Sequence, residues 1–265
     1  MTQSLDYIAG AARKWLSLTD KPLILGLCGA QGSGKSTLAA GLQRRMQAEG
    51  RMTAVLSLDD LYLDGAERER LARDVHPLLR TRGVPGTHDV ARGIAILDTV
   101  KAGQPVALPR FDKGKDEPAD EELLLPGRVE LLIFEGWCVG ARPQPDQALA
   151  NPVNALERDE DAAQLWRRHV NRQLSGPYAD LFARIDRLVL LAAPDFSVVH
   201  AWRSQQEEAL RAEQGDRASH AMDVVQIDRF IQHYERLTRH ILDDMPGYAD
   251  HSLFLDKDRG LRMAQ

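Results

Sequence analysis

Apolar residues follow two patterns along this chain. In short runs nearly every position is apolar, and such runs predict strands buried on both faces. They span residues 23–28, 53–58, 128–136 and 187–194, with a last short run at 252–256 and a weaker one at 104–113 that leads into a polar loop. The strongest of them are separated by stretches long enough for helices.

In the longer stretches, apolar positions recur every three or four residues, which predicts amphipathic helices. One such helix covers residues 227–241, where Ile227, Phe230, Ile231, Tyr234, Leu237 and Ile241 share a face. Strands alternating with helices predict a parallel sheet covered on both sides. We therefore expect an α/β fold, doubly wound, with a mainly parallel sheet. The helical stretches are 3–17, 36–50, 88–103, 160–174, 178–185, 197–214 and 227–241.

The segments between these elements are polar. Residues 64–88 contain Gly83, Pro85 and Gly86 and predict a helix followed by an exposed loop, and 141–158 form a second, proline-containing excursion. We find no internal repeat, low-complexity tract or linker. The sequence thus predicts a single domain over residues 1–265, in which residues 1–20 supply a packing helix.

Composition narrows the possible classes of protein. The net charge of -5 argues against a protein that binds nucleic acid by neutralising phosphates. Asp6 precedes any basic residue and no long apolar core follows, so the N-terminus predicts neither a secretory signal nor a membrane span. Cys28 and Cys138 lie in or beside apolar runs and read as buried hydrophobes. We expect a cytoplasmic protein in a reducing compartment.

Glycines cluster where the first apolar run ends. Residues 29–36, "GAQGSGKS", fit the pattern G-x-x-x-x-G-K-[ST] with a predicted strand before it and a helix after it. Glycines allow backbone N–H groups to curl around phosphate oxygens, Lys35 reaches the outer phosphates, and the Ser36 hydroxyl is placed to ligate Mg²⁺. The sequence therefore predicts binding of a nucleoside triphosphate.

Acidic residues end two other predicted strands. Asp59 and Asp60 follow the second strand, where a carboxylate can accept a proton from a substrate hydroxyl or help to hold Mg²⁺; a solvated turn or helix cap is the alternative. Glu135 lies at the end of the strand "ELLIFEG". In nucleotide-binding folds of this kind, an acid at this place holds magnesium through water. The alternative is a carboxylate that simply faces solvent.

Six motifs together resemble one kinase family. "GAQGSGKST", "SLDDLYL", "RGVPGTHD", "LPRFDK", "FEGWCVG" and "WRSQQE" occur in its order between residue 29 and about 208. The chain resembles the D-glycerate 3-kinases of the plant, fungal and bacterial P-loop type, relatives of phosphoribulokinase, uridine kinase and bacterial pantothenate kinase. The resemblance implies a P-loop kinase fold with a helical lid at about 195–220, and ATP and Mg²⁺ as cofactors.

The resemblance also implies roles for individual residues. Lys35, Asp59 as base and Arg203 in the lid would act on the phosphoryl group, and Ser36 and Glu135, the Walker B acid, would hold the metal. The cradle would comprise Gly29, Ala30, Gln31, Gly32, Ser33, Gly34, Lys35, Ser36 and Thr37. The acceptor pocket would be lined by Asp60, Tyr62, Arg82, His88, Asp89, Arg110 and Asp112.

Two of these assignments have alternative explanations in which the arginines are ordinary surface residues. A carboxylate acceptor calls for a cation, for which Arg82 and Arg110 are candidates and Lys113 a weaker third, although each also reads as surface charge. Arg203 can equally pair with Glu207 and Arg211 along an exposed helix face.

The predicted function is an ATP-dependent, Mg²⁺-dependent kinase that phosphorylates D-glycerate, a small hydroxy acid. Alternatives are the same reaction on a pantothenate-like, nucleoside or sugar-phosphate acceptor, or a nucleotide-regulated binding protein. For the latter, guanine specificity would call for N-K-x-D, whereas residues 255–258 read "LDKD". We expect no metal other than magnesium, because His233 and His240 lie seven apart on a helix face that we expect to be partly exposed.

Overall fold

Five parallel strands form the central sheet of the computed structural model, which describes residues 2–214 and 224–262, without the side chains of 206, 207, 209–214, 224 and 225. Within these ranges the strands are β1 (Leu23–Gly29), β2 (Thr53–Ser57), β3 (Val106–Leu108), β4 (Phe111–Asp112), β5 (Glu117–Pro118), β6 (Leu123–Leu125), β7 (Leu131–Gly136), β8 (Arg187–Ala192) and β9 (His251–Phe254).

Helices flank the sheet on both sides. They are α1 (Thr2–Leu16), α2 (Lys35–Ala48), α3 (Gly65–Asp74), α4 (Val90–Lys101), α5 (Ala155–Glu160), α6 (Leu165–Ser175), α7 (Pro177–Phe182), α8 (Ser197–Gln214) and α9 (Val224–Asp244). Short 3₁₀ helices cover Leu58–Leu61, Pro77–Arg80, Asp146–Leu149 and Met245–Gly247. None of the helices in the described ranges is long and apolar enough to cross a membrane.

The strand order in the central sheet is β2-β7-β1-β8-β9. β7 therefore lies between the first two strands of the sequence, with Leu131 paired to both Leu23 and Thr53. All pairings in this sheet are parallel, which confirms the predicted fold class. The carboxyl ends of β1, β2 and β7 consequently meet at one edge, and the predicted glycine and acidic motifs meet there with them.

Alternate residues of each strand feed two hydrophobic layers. Leu25 and Leu27 of β1 pack in the layer formed with α1 and α2, whereas Ile24 and Cys28 pack in the layer that includes α4, α7 and α9. The predicted apolar face of α9 is confirmed, since its residues are buried except for Phe230, which is partly buried. Cys28 and Cys138 are buried and free, as expected.

Two predictions about helices were wrong. The stretch 160–174 does not form one helix: α5 ends at Glu160 and α6 starts at Leu165, because Gln164 takes a left-handed φ of +63° and the Asp161 carboxylate accepts from the backbone N–H groups that open α6. His233 is buried rather than partly exposed, and its ring packs edge-on against Trp166.

Candidate active site

The glycine motif forms a cradle between β1 and α2. Gly32 and Gly34 take left-handed φ angles of +75° and +87°, which L side chains rarely adopt. A Cβ on Gly32 would lie 2.6 Å from the Cβ of Trp202, so a side chain there has no room. The turn therefore exposes backbone N–H groups at the N-terminus of α2, where the helix dipole favours an anion.

The cradle is braced by a turn from the far end of the chain. Arg259 donates from Nε to the Gly32 carbonyl at 2.5 Å, and its guanidinium lies over the Trp202 ring at 5.1 Å. Trp202 in turn donates from its indole to the Lys257 carbonyl at 2.7 Å. Sequence reasoning missed this brace, because Arg259 lies far from the motif in the chain and in no pattern of its own.

Ser36 and Glu135 form the candidate metal site. The Ser36 hydroxyl donates to Oε1 of Glu135 at 3.0 Å, across the gap between α2 and the end of β7. Glu135 is 5% exposed, and its Oε2 has no hydrogen-bond partner among the described residues. A buried carboxylate oxygen without a partner is costly unless a ligand satisfies it. A hydroxyl and a carboxylate are ligands that Mg²⁺ accepts, so these residues fit that ion.

Asp59 has a donor on each carboxylate oxygen. It follows β2 in the turn Leu58–Leu61, with the Tyr62 hydroxyl at 2.8 Å from Oδ1 and the Lys113 ammonium at 2.7 Å from Oδ2. Burial by itself raises the pKa of Asp59, but the charges of Lys113 and Lys35 and these hydrogen bonds outweigh burial and lower the pKa to about 2. Asp59 is therefore ionised at neutral pH.

Asp60 anchors the segment that follows β3. Its carboxylate accepts from the Arg110 guanidinium at 2.9 Å and from the Phe111 backbone N–H at 3.2 Å. This contact places β4 beside the carboxyl end of β2, and so brings "LPRFDK" to the same edge of the site as "SLDDLYL". Arg110 is thereby brought to the site, with its charge directed to Asp60.

Arg82 lies on a loop with a tightly fixed backbone. Its guanidinium carbon is 6.0 Å from the Tyr62 ring centroid and 5.4 Å from that of Phe111. The next residue, Gly83, has a φ of +137°, and a Cβ there would lie 2.0 Å from the Tyr234 hydroxyl. The Gly83 carbonyl also accepts from the Trp137 indole at 2.8 Å. These contacts hold Arg82 against the rings.

His88 is buried and neutral. Burial lowers its pKa to about 3, and its ring stacks on Tyr62 at 4.5 Å. The Tyr178 hydroxyl accepts from the Gly86 N–H at 3.0 Å and lies 2.5 Å from Nδ1 of His88. Tyr178 satisfies both neighbours if it donates to Nδ1, which leaves the His88 proton on Nε2. Nε2 has no hydrogen-bond partner among the described residues.

Two residues predicted to line the acceptor pocket have local structural partners. The Asp89 carboxylate caps α4 by accepting from the Arg92 N–H at 2.9 Å. Asp112 closes the turn after β4 by accepting from the N–H groups of Gly114 and Lys115, which lowers its pKa. Both carboxylates thus have local roles that the sequence pattern did not indicate.

Arg203 lies on α8, with its guanidinium carbon 5.1 Å from the Phe230 ring centroid on α9. The alternative pairing with Glu207 and Arg211 falls on side chains outside those that the structure describes. The two helices thus hold Arg203 against an aromatic ring, and residues 215–220 of the predicted lid also lie outside the described ranges.

Comparison with known proteins places the chain in a family. No family model matches it. The chloroplastic D-glycerate 3-kinase of Arabidopsis thaliana is 28% identical over 252 residues, which cover 91% of this chain and 52% of that protein. A protein of Schizosaccharomyces pombe named "Uncharacterized kinase mug58" is 35% identical over 247 residues, which cover 87% of this chain and 86% of that one. The chain belongs to the family of P-loop kinases that includes D-glycerate 3-kinase.

The solved structures agree with this assignment. D-glycerate 3-kinase from Cryptococcus neoformans matches with a TM-score of 0.81 and 25% identity, covering 99% of this kinase and 98% of that chain. The kinase is thus a phosphotransferase that uses ATP and has a hydroxyl group as acceptor.

Several residues of the site escaped sequence reasoning. Asp116 pairs with Arg82 and with Arg68, and Tyr178 fixes His88. A signal for Asp116 exists in the text "FDKGKDEP", whose central glycine and flanking charges are typical of a tight turn between short strands. Tyr178 carries no such signal, because its contact to His88, in the loop of residues 81–89, joins segments 90 residues apart.

Proposed function

We propose that this kinase transfers the γ-phosphoryl group of ATP, with Mg²⁺, to a hydroxyl of D-glycerate. The observation that carries the proposal is the placement of Asp59 and Arg82 around one tyrosine. The Tyr62 hydroxyl bonds Asp59 at 2.8 Å, and the same ring lies 6.0 Å from the Arg82 guanidinium carbon. A proton acceptor and a cation are thus one aromatic ring apart, which suits a small molecule carrying a hydroxyl and a carboxylate.

The phosphates of ATP would lie in the cradle of residues 29–36. Backbone N–H groups of the turn and the ammonium of Lys35 would bind their oxygens, while Ser36 and Glu135 would hold Mg²⁺, Glu135 through water. Magnesium, when bound, neutralises charge that builds up between the β- and γ-phosphates. The support for these roles is the left-handed backbone at Gly32 and Gly34 and the unsatisfied oxygen of Glu135.

Asp59 would orient the acceptor hydroxyl and take its proton. Phosphoryl transfer passes through a loose transition state in which positioning matters more than base strength. An ionised carboxylate with a low pKa can therefore act as the proton acceptor. One of its oxygens must first exchange its present donor for the substrate hydroxyl. Lys113 is the donor better placed to leave, because its side chain is 61% exposed.

Arg203 would stabilise the phosphoryl group during transfer. It approaches the site from α8, packed on Phe230, and its charge lowers the pKa of Tyr234, although burial raises that pKa more strongly. Tyr234 donates to the Arg82 carbonyl at 3.2 Å. Arg203 is therefore near the loop of residues 81–89, which we call the acceptor loop. A guanidinium in this place can neutralise charge on a transferring phosphoryl group.

The test is coupled ADP release with Mg-ATP against D-glycerate, L-glycerate, pantothenate, uridine and ribulose 5-phosphate. We expect D-glycerate to raise the rate well above background and the other compounds to leave it near background. Lys35→Ala is the control and should abolish the response to every compound, because it removes a phosphate contact. A larger response to another acceptor would overturn the substrate assignment while leaving the kinase assignment in place.

A further inference from the structure

The hairpin formed by β4 and β5 covers the acceptor side of the site. It is held in place by several charged contacts and by the buried ring of Phe111, which packs edge-on against Tyr62. The charged contacts are the pairs Arg110 with Asp60, Lys113 with Asp59, Asp116 with Arg82 and Arg68, and the Glu117 carboxylate with the Gly65 backbone N–H. The first two contacts join the hairpin to the turn Leu58–Leu61 after β2, and the others join it to the acceptor loop and to α3. The hairpin therefore lies across the space between Asp59 and Arg82.

Asp116 makes the most demanding of these contacts. Its backbone takes a left-handed φ of +60°, a conformation that L residues other than glycine rarely adopt. Its carboxylate bridges two guanidinium groups, Oδ1 pairing with Arg82 and Oδ2 with Arg68 at 2.9 Å. Arg68 is 4% exposed and donates to three backbone carbonyls, two of which lie outside the hairpin, so it keeps partners without the Asp116 carboxylate.

Arg82, by contrast, is 29% exposed at its side chain and faces the acceptor space. Tyr62 and Phe111 pack against its guanidinium, and the group left on its edge is the carboxylate of Asp116. That carboxylate is the same functional group as the one on a hydroxy acid. Two carboxylates on one partly buried guanidinium would repel each other. An acceptor carboxylate that binds the same edge of Arg82 as Asp116 would therefore displace Asp116.

We propose that the Asp116 carboxylate occupies the position of the acceptor's carboxylate on Arg82 and sets acceptor affinity and selectivity by competing for it. This inference rests on the proposed function. With this competition, the apparent affinity for the acceptor is the intrinsic affinity multiplied by the fraction of protein in which Asp116 does not occupy Arg82. It also selects for charge, since a neutral polyol offers Arg82 nothing that replaces the ion pair it would have to break.

The experiment compares KM and kcat for D-glycerate in the wild type, Asp116→Asn and Glu69→Gln. Asparagine tolerates the left-handed backbone of Asp116 and removes the competing charge. We expect its KM to fall about threefold to tenfold with kcat within about twofold. Glu69→Gln removes the same charge from an exposed pair with Arg80 on the neighbouring helix and should leave both constants unchanged.

A second readout reports binding alone. D-lactate carries the carboxylate of D-glycerate without its terminal hydroxyl, so it should inhibit competitively, and its inhibition constant should fall by the same factor in Asp116→Asn. An unchanged or raised KM in Asp116→Asn would overturn the inference, because it would mean that Asp116 stays in place or orients Arg82 for the acceptor.

Failure of the proposed function can be told apart from failure of the inference. If the wild type phosphorylates a different acceptor that bears a carboxylate, such as pantothenate, the D-glycerate assignment falls and the KM ratio for that acceptor decides the inference. A several-fold fall in Asp116→Asn would then support it, and no fall would overturn it. Turnover of an acceptor without a carboxylate, with none on D-glycerate, would overturn both.

Discussion

At the scale of single residues, Asp59 is the group on which the proposed chemistry depends. Its two oxygens are taken by Tyr62 and Lys113, and the charge of Lys35 also acts on it. We predict that Asp59→Asn lowers kcat by about 10²-fold or more, because the amide cannot take the proton. KM for ATP should stay within a few-fold, as Asp59 is not part of the cradle.

Steady-state kinetics with saturating acceptor measure both constants. Asp159→Asn is the matched control, since Asp159 is exposed and pairs with its own neighbour Arg158. Turnover of Asp59→Asn near the wild-type value would remove Asp59 as the base, whatever the control shows.

Lys113 decides the pH range in which Asp59 is ionised. Burial alone raises the pKa of Asp59, so Lys113→Met should move that pKa upward from about 2. The acid limb of kcat/KM, which reports the free enzyme, should then appear at higher pH in the variant than in the wild type. Profiles of kcat/KM between about pH 4.5 and 8 measure this. Lys115→Met, the exposed neighbour in the same turn, should leave the profile unchanged.

The same shift has a defined sign for stability. The folded-state pKa of Asp59 lies below its ordinary value, so ionisation of Asp59 stabilises the fold at neutral pH. That contribution is lost only as the pH falls from about 3.8 through about 2. If the kcat/KM profiles of the wild type and Lys113→Met coincide, Lys113 does not lower the pKa of Asp59 in solution.

At the scale of elements, two glycine positions can test whether ATP and the acceptor bind at separate places. In Gly32→Ala the new Cβ would clash with Trp202, which packs against the cradle. In Gly83→Ala it would clash with Tyr234, which packs against the acceptor loop. We predict that the first raises KM for ATP by about tenfold or more and the second raises KM for the acceptor by a similar factor, since each strain costs about 1–3 kcal/mol.

Each variant should leave the other substrate's KM within about threefold, which is less than 1 kcal/mol. Gly10→Ala is the control, because nothing lies within 4 Å of a Cβ there and alanine suits the middle of α1. If both glycine variants raised the two KM values equally, the cradle and the acceptor loop would respond as one unit.

The elements also show which parts of the fold the local sequence pattern predicts. Periodicity predicted α9 and its buried face, since packing against the sheet requires those positions to be apolar. It did not predict the hairpin of β4 and β5, because that hairpin is held by Asp59, Arg82 and Gly65, which lie far away in the chain. Charged residues fixed by distant partners leave no apolar period to detect. The text "FDKGKDEP" indicates a turn, but nothing near it in the sequence indicates that Asp116 pairs with Arg82 and Arg68.

At the scale of the whole molecule, two ion pairs join the same two helices in different surroundings. Glu157 of α5 pairs with Arg236 of α9 and is fully buried, while Glu160 pairs with Arg229 at the surface. We predict that Glu157→Gln lowers the free energy of unfolding by about 3–5 kcal/mol, because it leaves a buried guanidinium without its counter-charge. Glu160→Gln should cost about 1 kcal/mol or less.

Equilibrium unfolding in urea measures both variants under the same conditions. Equal and small losses would show that Arg236 is satisfied by its carbonyl partners, the Ala148 and Asn151 oxygens, without Glu157. Nothing in either variant touches the cradle, so KM for ATP should be unchanged in both.

The arrangement of the strands was only partly predictable. Apolar runs predicted the strands and their parallel direction, and this was enough to expect Asp59 and Glu135 at one edge. The insertion of β7 between β1 and β2 could not be read from the sequence, because every one of these strands is apolar and fits any neighbour. That insertion places Glu135 opposite Ser36.

The strand order has a consequence for how the chain is made. β1 has its hydrogen-bonded neighbours in β7 and β8, which begin at Leu131 and Arg187, and Gly32 leans on Trp202 and Arg259. On the ribosome the glycine motif emerges before the strands that flank it and the turn that braces it. Nucleotide therefore meets a finished cradle only after Arg259 has been added, 227 residues beyond Gly32.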